Sequence, residues 1–351
     1  MTSRETIPIG TRKSALAIAQ TVQVQSALEK HNPTKSFPLL QMSTTGDNYQ
    51  GQPLSSIGTT AVFTRELETA LENKECDLLV HSLKDVPTQV KPGFVIAAML
   101  KREEPNDVMV MRAGEFKELK DLGKGDVVGT SSVRRASQIR RLCPGVQVMD
   151  VRGNINTRLA KLDAADSPYT CLLLAAAGLL RLDFDERITA TLPPSVMLHA
   201  VGQGSIGVEC RADDTEMLEL IKPLDHLPTR LRCEAERSVM RILEGGCSVP
   251  IGVWTEFVHS SGTEPTEAES IGQLRLKAMV SSLDGTEIAE TEAVADVNGS
   301  VELAIKLGRT VADQLLAQGA DKILAKVVRD RNTTLVPTGT GEENTIKGWE
   351  V

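Results

Sequence analysis

Short apolar runs of strand length alternate with amphipathic helical patterns along the N-terminal half of the chain, and this alternation constrains the fold more than any other feature of the sequence. Ile7 to Gly10 reads as a strand and Ser14 to Glu29 as a helix with Leu16, Ala19, Val22 and Leu28 on its inner side. Phe37 to Met42 reads as a strand, Thr64 to Leu71 as part of a helix and Leu78 to His81 as a strand. The strands Val95 to Leu100 and Val108 to Met111 lead to a second series: Val127 to Gly129, a helix from Ser132 to Leu142, Val146 to Val151, a helix from Asn154 to Leu162, and Cys171 to Ala175. Alternation of this kind predicts α/β layers, here two similar units. In the helix after Ser132, the residues Val133, Ala136, Ile139 and Leu142 step by three and form the expected buried stripe, which leaves Arg134 and Arg135 free at the first turn. At 351 residues the chain exceeds one compact core and calls for two or three domains. After about Leu224 the order changes. A helix from Arg232 to Leu243 ends at Gly245-Gly246, alternating runs follow at Val249 to Val258, Leu274 to Val280 and Glu287 to Val294, and one long helix is expected from Val301 to about Val328. Strands followed by a helix indicate a separate α+β domain, with a loop at Ser260 to Ser270 and a loosely held tail from Asn332.

Charge runs against this background. The whole chain carries −8 at neutral pH, yet Arg134, Arg135, Arg140, Arg141, Arg152, Arg158 and Lys161 crowd one stretch that holds a single acid, Asp150. Positive charge concentrated in an acidic protein points to a multiply anionic ligand. The guanidinium fork suits carboxylate or phosphate because it donates two parallel hydrogen bonds. An acidic chain with 3% aromatics does not suit nucleic acid or a membrane surface as its main partner, so a small anion is expected. Three junctions share one plan of strand, basic residue, hydroxyl or amide cap, and helix: Gly10 to Ser14 with Arg12, Gly129 to Arg135, and Arg152-Gly153-Asn154 before Arg158. Each arginine could simply fix a local helix end, but three such junctions favour one shared anion cleft between facing units. Arg140 and Arg141 read as solvated surface charges.

Cys76, Cys143, Cys171, Cys210, Cys233 and Cys247 show neither a Cys-x-x-Cys pair nor metal-ligand spacing, so no metal is expected and the thiols suit a reducing, cytoplasmic setting. No run of about 18 apolar residues occurs. Asp85, in His81-Ser82-Leu83-Lys84-Asp85-Val86-Pro87, follows a buried-type strand, where ligands of open α/β sheets gather. On spacing alone it is a candidate catalytic carboxylate or, slightly favoured, a turn aspartate ahead of Pro87. Lys84 could hold a ligand carboxylate or pair with Asp85, and His81 reads as a core histidine. Cys247 follows a helix C-terminus, whose partial negative charge raises a thiol pKa, so it suits a permanent covalent anchor better than a recycling nucleophile. By composition alone a small buried cysteine is the commoner outcome.

Taken in order, Gly-Thr-Arg-Lys-Ser at 10–14, Met-Ser-Thr-Thr-Gly-Asp at 42–47, His-Ser-Leu-Lys-Asp-Val-Pro-Thr at 81–88, Lys-Arg-Glu at 101–103, Val-Gly-Thr-Ser-Ser-Val-Arg-Arg at 128–135, Arg-Gly-Asn-Ile-Asn-Thr-Arg-Leu at 152–159, Ala-Val-Gly-Gln-Gly at 200–204 and Leu-Glu-Gly-Gly-Cys-Ser-Val-Pro at 243–250 closely resemble the porphobilinogen deaminases, also called hydroxymethylbilane synthases. The resemblance covers residues 7 to 255 and weakens beyond them. It implies two doubly wound α/β domains like periplasmic binding proteins around a cleft, plus a smaller α+β C-terminal domain. Domain 1 would comprise residues 1–102 and 200–224, domain 2 residues 103–199, and domain 3 residues 225–351 with the cofactor cysteine.

The same resemblance implies a transferase that adds four porphobilinogens, each losing ammonia, to a dipyrromethane held by Cys247 through a thioether, and then releases a linear tetrapyrrole by hydrolysis. Each pyrrole brings an acetate and a propionate, which accounts for the arginines. By position, Arg12, Ser14, Arg134, Arg135, Arg152, Arg158 and Arg181 would bind carboxylates of cofactor and substrate, and Lys84, Ser82, Thr130, Ser131, Asn154 and Gln203 would line the same cleft. Asp85 would stabilise the cationic azafulvene formed as ammonia leaves and take part in proton transfer. Phe63 would stack near the reacting pyrrole. A monomer with a small-molecule substrate is expected, with neither nucleic acid nor membrane as partner. The chain departs from the family at Thr60 and Asn48, where lysine is common, so a different charge contact is expected at the lid. The runner-up is a non-catalytic cleft protein that binds a polycarboxylate, which leaves Asp85 and Cys247 without work.

Overall fold

The computed structural model describes residues 4–48, 63–243, 249–258 and 271–334. The first sheet is built from β1 (Ile9–Arg12), β2 (Leu39–Met42), β3 (Leu78–Ser82) and β4 (Phe94–Met99), with helices α1 (Ala15–His31), α2 (Thr45–Asn48) and α3 (Arg65–Glu72) between them. The second contains β5 (Asp107–Met111), β6 (Val127–Gly129), β7 (Gln147–Met149), β8 (Cys171–Ala175) and β9 (Ala190–Leu192), connected through α4 (Val133–Leu142), α5 (Ile155–Asp163) and α6 (Ala176–Leu180). Strand β10 (Ile206–Arg211) then returns to the first sheet, giving the order β2-β1-β3-β10-β4 beside β7-β6-β8-β5-β9.

The two sheets share one plan. Each has a single strand antiparallel to its neighbours: β10 between β3 and β4, and β5 between β8 and β9. In both cases that strand belongs to the segment of chain arriving from the other sheet, so the crossings at 100–106 and 193–205 lie side by side. They pair with each other, Glu103 N–H donating to Gly204 O at 3.2 Å and Arg102 Nε to Gln203 O at 2.8 Å. Helices cover both faces of each sheet: Val24, Leu28 and Met217 pack on one side of the first sheet and Leu67 and Leu71 on the other. Leu159 and Leu179 cover one side of the second sheet, and Ile139 covers the other. The architecture is the expected pair of α/β layers.

After α7 (Thr215–Ile221), α8 (Leu227–Ile242) leads to an antiparallel sheet of β11 (Ile251–Val258), β12 (Gln273–Ser281) and β13 (Ile288–Asp296), backed by α9 (Val301–Ala317) and α10 (Ala320–Thr334). Leu231, Ala235 and Val239 of α8 join Leu307, Val311 and Leu315 of α9 and the inner residues of the sheet in one core. Glu236 of α8 ties this unit to both crossings, accepting from Arg102 Nη1 at 2.6 Å and from Gly202 N–H at 2.9 Å. Burial alone would raise the Glu236 carboxyl, but Arg102, His199 and these donors bring it down to about 2.

Three expectations change. The inner face of α1 is Ala17, Gln20, Thr21, Val24 and Leu28, while Val22 is exposed, because Gln20 and Thr21 find polar partners in Ser82 and Thr11. In α4, Ala136 and Ile139 are buried as expected, but Leu142 is exposed and Arg134 and Arg135 are buried, because the first turn faces a buried acid. The long terminal helix is two helices: Gly319 adopts φ +89° just after α9, a left-handed C-terminal turn that glycine takes without Cβ strain. Strand β10 and helix α7 were not anticipated.

Candidate active site

A cavity of about 980 Å³ lies between the first two sheets. One wall grows from the carboxyl ends of β1 and β3. Leu83 is fully buried and anchors a single helical turn, Leu83–Asp85, that turns Lys84 and Asp85 into the cavity. Ser82 lies beside them and donates to Gln20 Oε1 at 3.0 Å. Arg12 ends β1, and Ser14 caps α1 by accepting from Ala17 N–H at 3.3 Å. The Arg12 guanidinium stands 3.9 Å from Asp85 Oδ2 and lies over the Phe63 ring at 4.3 Å, so carboxylate, cation and aromatic form one group at this wall.

The facing wall comes from the second sheet. Ser131 follows β6 and donates to Val151 O at 2.6 Å, and Ser132 caps α4 by accepting from Arg135 N–H at 3.4 Å. Arg152 reaches Asp150 at 3.0 Å, Asn154 caps α5 by accepting from Thr157 N–H at 2.9 Å, and Arg158 donates to Gly153 O at 2.8 Å. Arg181, at the end of α6, donates to Gly204 O at 2.7 Å, and its Nε is buried without a hydrogen-bond partner. Among the described residues the lining holds eight basic side chains, Lys13 and Arg241 included, and one acid, Asp85. Such an excess has physical consequences. Loss of water, with repulsion from Arg135 and Arg134, pushes the Lys84 ammonium down to about 8 against the pull of Asp85 and Asp107. Burial likewise brings Arg158 down to about 10. Cations held this way are stabilised by anions brought by a ligand.

Arg12, Ser14, Phe63, Ser82, Lys84, Asp85, Ser131, Arg135, Arg152, Asn154, Arg158 and Arg181 all border the cavity. Three expected lining residues do not, and stand one layer behind the wall. Thr130 is buried, its hydroxyl accepting from Ser132 N–H at 3.2 Å. Arg134 donates to Asp107 Oδ2 at 2.6 Å and to Leu198 O at 2.7 Å. Gln203 donates to Asp107 Oδ1 at 2.8 Å and to Pro105 O at 2.7 Å. The reason is Asp107, fully buried at the start of β5, whose carboxylate also receives Arg135 Nε at 3.0 Å. Burial would raise this carboxyl, but the two arginines hold it well below the usual range. A lone acid opening the apolar run Asp-Val-Met-Val-Met was the available signal. Cys247, Thr60 and the loop at 260–270 lie outside the described residues, as do 335–351 of the tail; Asn48, the other departure, ends α2. Among the described residues no acid, cysteine or histidine cluster could hold a metal, and no helix is long and apolar enough to cross a membrane.

Residues 7–219 match the family model "Porphobilinogen deaminase, dipyromethane cofactor binding domain", and residues 230–317 match "Porphobilinogen deaminase, C-terminal domain". The chain belongs to the porphobilinogen deaminase family. A porphobilinogen deaminase of Yarrowia lipolytica is 47% identical over 90% of this chain and 91% of its own length. Those of Neurospora crassa and Synechococcus elongatus are each 47% identical, over 93% and 92% of this chain and 96% and 95% of their own lengths. Among solved structures, the effector-binding domain of BenM with benzoate matches 64% of this chain at 14% identity and a TM-score of 0.39, covering 91% of that chain.

Proposed function

We propose that this chain is a porphobilinogen deaminase in activity as well as in family: it condenses four porphobilinogens, with loss of ammonia, onto a dipyrromethane primer and releases hydroxymethylbilane by hydrolysis. The observation that carries this reading is the gathering of Asp85 with Arg12, Lys84, Arg135, Arg152, Arg158 and Arg181 in one cavity. Under-neutralised cations such as Lys84 and Arg158, and the unpartnered Nε of Arg181, fit a group that carries several carboxylates. When bound through the Cys247 thiol, the dipyrromethane would supply the nucleophilic pyrrole carbon onto which the chain grows.

This chain's own residues do the rest. Arg135 and Lys84, the cavity cations nearest the Asp107 network, hold carboxylates of the primer, while Arg12, Arg152, Arg158 and Arg181 receive those of incoming substrate. Asp85, alone among cations, presents its carboxylate to pyrrole N–H groups and stabilises the positive charge that develops on the substrate as ammonia departs, an interaction strengthened where water is displaced. Phe63 offers its face to a flat ring and, through Arg12, keeps that guanidinium beside Asp85. The five described cysteines are buried and free, which fits action as a single chain in the reducing cytoplasm.

Intact mass and turnover test the reading together. The wild-type chain should weigh its sequence plus two pyrrole units and release ammonia from porphobilinogen. Cys247→Ala should fold yet weigh its sequence alone and be inactive. An unmodified wild-type chain that binds porphobilinogen without turnover would instead support the polycarboxylate-binding alternative.

A further inference from the structure

The C-terminal half of α8 grips the turn that follows Asp85. Arg237 Nη1 donates to Val86 O at 3.2 Å and Nη2 to Pro87 O at 2.8 Å, and Arg241, four residues on, donates to Thr88 O through Nη2 at 3.1 Å and Nε at 3.3 Å. Three successive carbonyls are thus held by two guanidinium groups from one face of one helix. One turn earlier on α8, Cys233 packs with Leu83 and Val86 in a small apolar cluster, so the same helix also buries the side chains that flank Lys84 and Asp85. Arg237 is only 3% exposed, and Val86, Pro87, Thr88, Met240 and Arg241 all border the cavity.

The third domain has a separate tie to the crossings through Glu236, so these arginines are not what keeps it attached. Their contacts instead fix the height and rotation of α8 against the catalytic turn. Val86 adjoins Asp85, so any shift of α8 along the turn is passed directly to the Asp85 carboxylate.

We propose that Arg237 and Arg241 are positioning residues: by holding the carbonyls of Val86, Pro87 and Thr88 they fix where the preceding turn presents the Asp85 carboxylate in the cavity. This rests on the role given to Asp85 in the proposed function. Neither arginine touches the reacting atoms; both act through the turn. Arginine is required because one guanidinium must bridge two neighbouring carbonyls, which a lysine ammonium on a flexible stem does not reproduce.

The test uses the full-length holoenzyme and the variants R241Q, R237K and the double variant R237Q/R241Q. Intact mass is read first. A wild-type chain without two added pyrroles overturns the proposed function, and this proposal with it, before any variant is compared. With the primer present in all variants, the double variant should keep KM for porphobilinogen within about twofold and lose at least tenfold in kcat, since small misplacements remote from the chemistry cost up to about a hundredfold. The bound intermediates counted by native mass spectrometry should advance more slowly at every length, since the displaced Asp85 serves each addition. R237K should fall between wild type and the double variant, and R241Q, at the less buried clamp residue, should fold and show a smaller loss of about threefold. Leu315→Ala, in the core of the third domain, serves as a control that lowers Tm without touching the clamp. Wild-type kcat in R241Q and R237K, or an equal loss of kcat in the Leu315→Ala control, would overturn the proposal.

Discussion

Asp85 and Asp107 are both aspartates close to arginine, yet their surroundings give them opposite work. Asp85 borders the cavity with its nearest described cation, Arg12, at 3.9 Å, too long for a tight ion pair, and its carboxylate can turn toward a ligand. Asp107 is fully buried and saturated by Arg134, Arg135 and Gln203, so it shapes the wall rather than meeting substrate. Asp85→Asn should therefore keep the primer and near-normal porphobilinogen binding while single-turnover ammonia release slows about 10²–10³-fold, the range seen when one preorganised electrostatic partner is lost. Release at the wild-type rate would remove Asp85 from its role. Asp107→Asn leaves two buried guanidinium groups short of charge and should cost about 3–5 kcal/mol in denaturant unfolding. It should also impair primer loading, because Arg135 loses the bond that aims it. A stability loss under 1 kcal/mol would show that the pair is not held as the distances indicate.

At the scale of elements, the strand-to-helix junctions were legible from sequence because their chemistry is local. Ser14, Ser132 and Asn154 were expected as caps, and each accepts a backbone N–H in the first turn of its helix. Helix faces were less legible. Periodicity assumes that the inner face is apolar, and α1 and α4 bury Gln20, Thr21, Arg134 and Arg135 toward polar partners that come from distant sequence. At the crossings between sheets Gly204 sits at φ +86°, and a Cβ there would meet Glu103 O at 2.4 Å. Gly204→Ala should lose about 1–2 kcal/mol for the left-handed backbone alone, with the clash adding to it. Because Arg181 donates to Gly204 O, KM for porphobilinogen should rise as well. A variant with unchanged Tm would mean that the crossing relaxes freely.

For the molecule as a whole, the excess of cations in one cavity makes ligand binding a proton-linked event. With Lys84 pushed down to about 8 from 10.5, the ligand-free folded chain holds fewer protons than the unfolded chain between those values. The penalty of keeping this ammonium charged is present in full below pH 8, and stability from this group rises with pH through that window. A carboxylate placed beside Lys84 favours the charged form, so binding near pH 8.5 should take up protons. Because Lys84 meets the primer, proton titration of the primer-free Cys247→Ala chain against the primed wild-type chain near pH 8.5 measures that uptake. Adding Lys84→Met should remove it. Equal uptake with and without Lys84 would assign the proton to another group.

The sequence by itself determined the α/β alternation, the change of pattern near residue 224, the capped junctions and the sign of the ligand's charge, because each is set by neighbours within a few residues. Tertiary structure decided what depends on partners far apart in the chain. It brought Arg12 and Phe63 to Asp85, withdrew Arg134, Thr130 and Gln203 behind the wall, and returned β10 to the first sheet. A buried charge goes where its counter-charge is, and Asp107 stands 27 residues from Arg134 along the chain, beyond the reach of any local pattern.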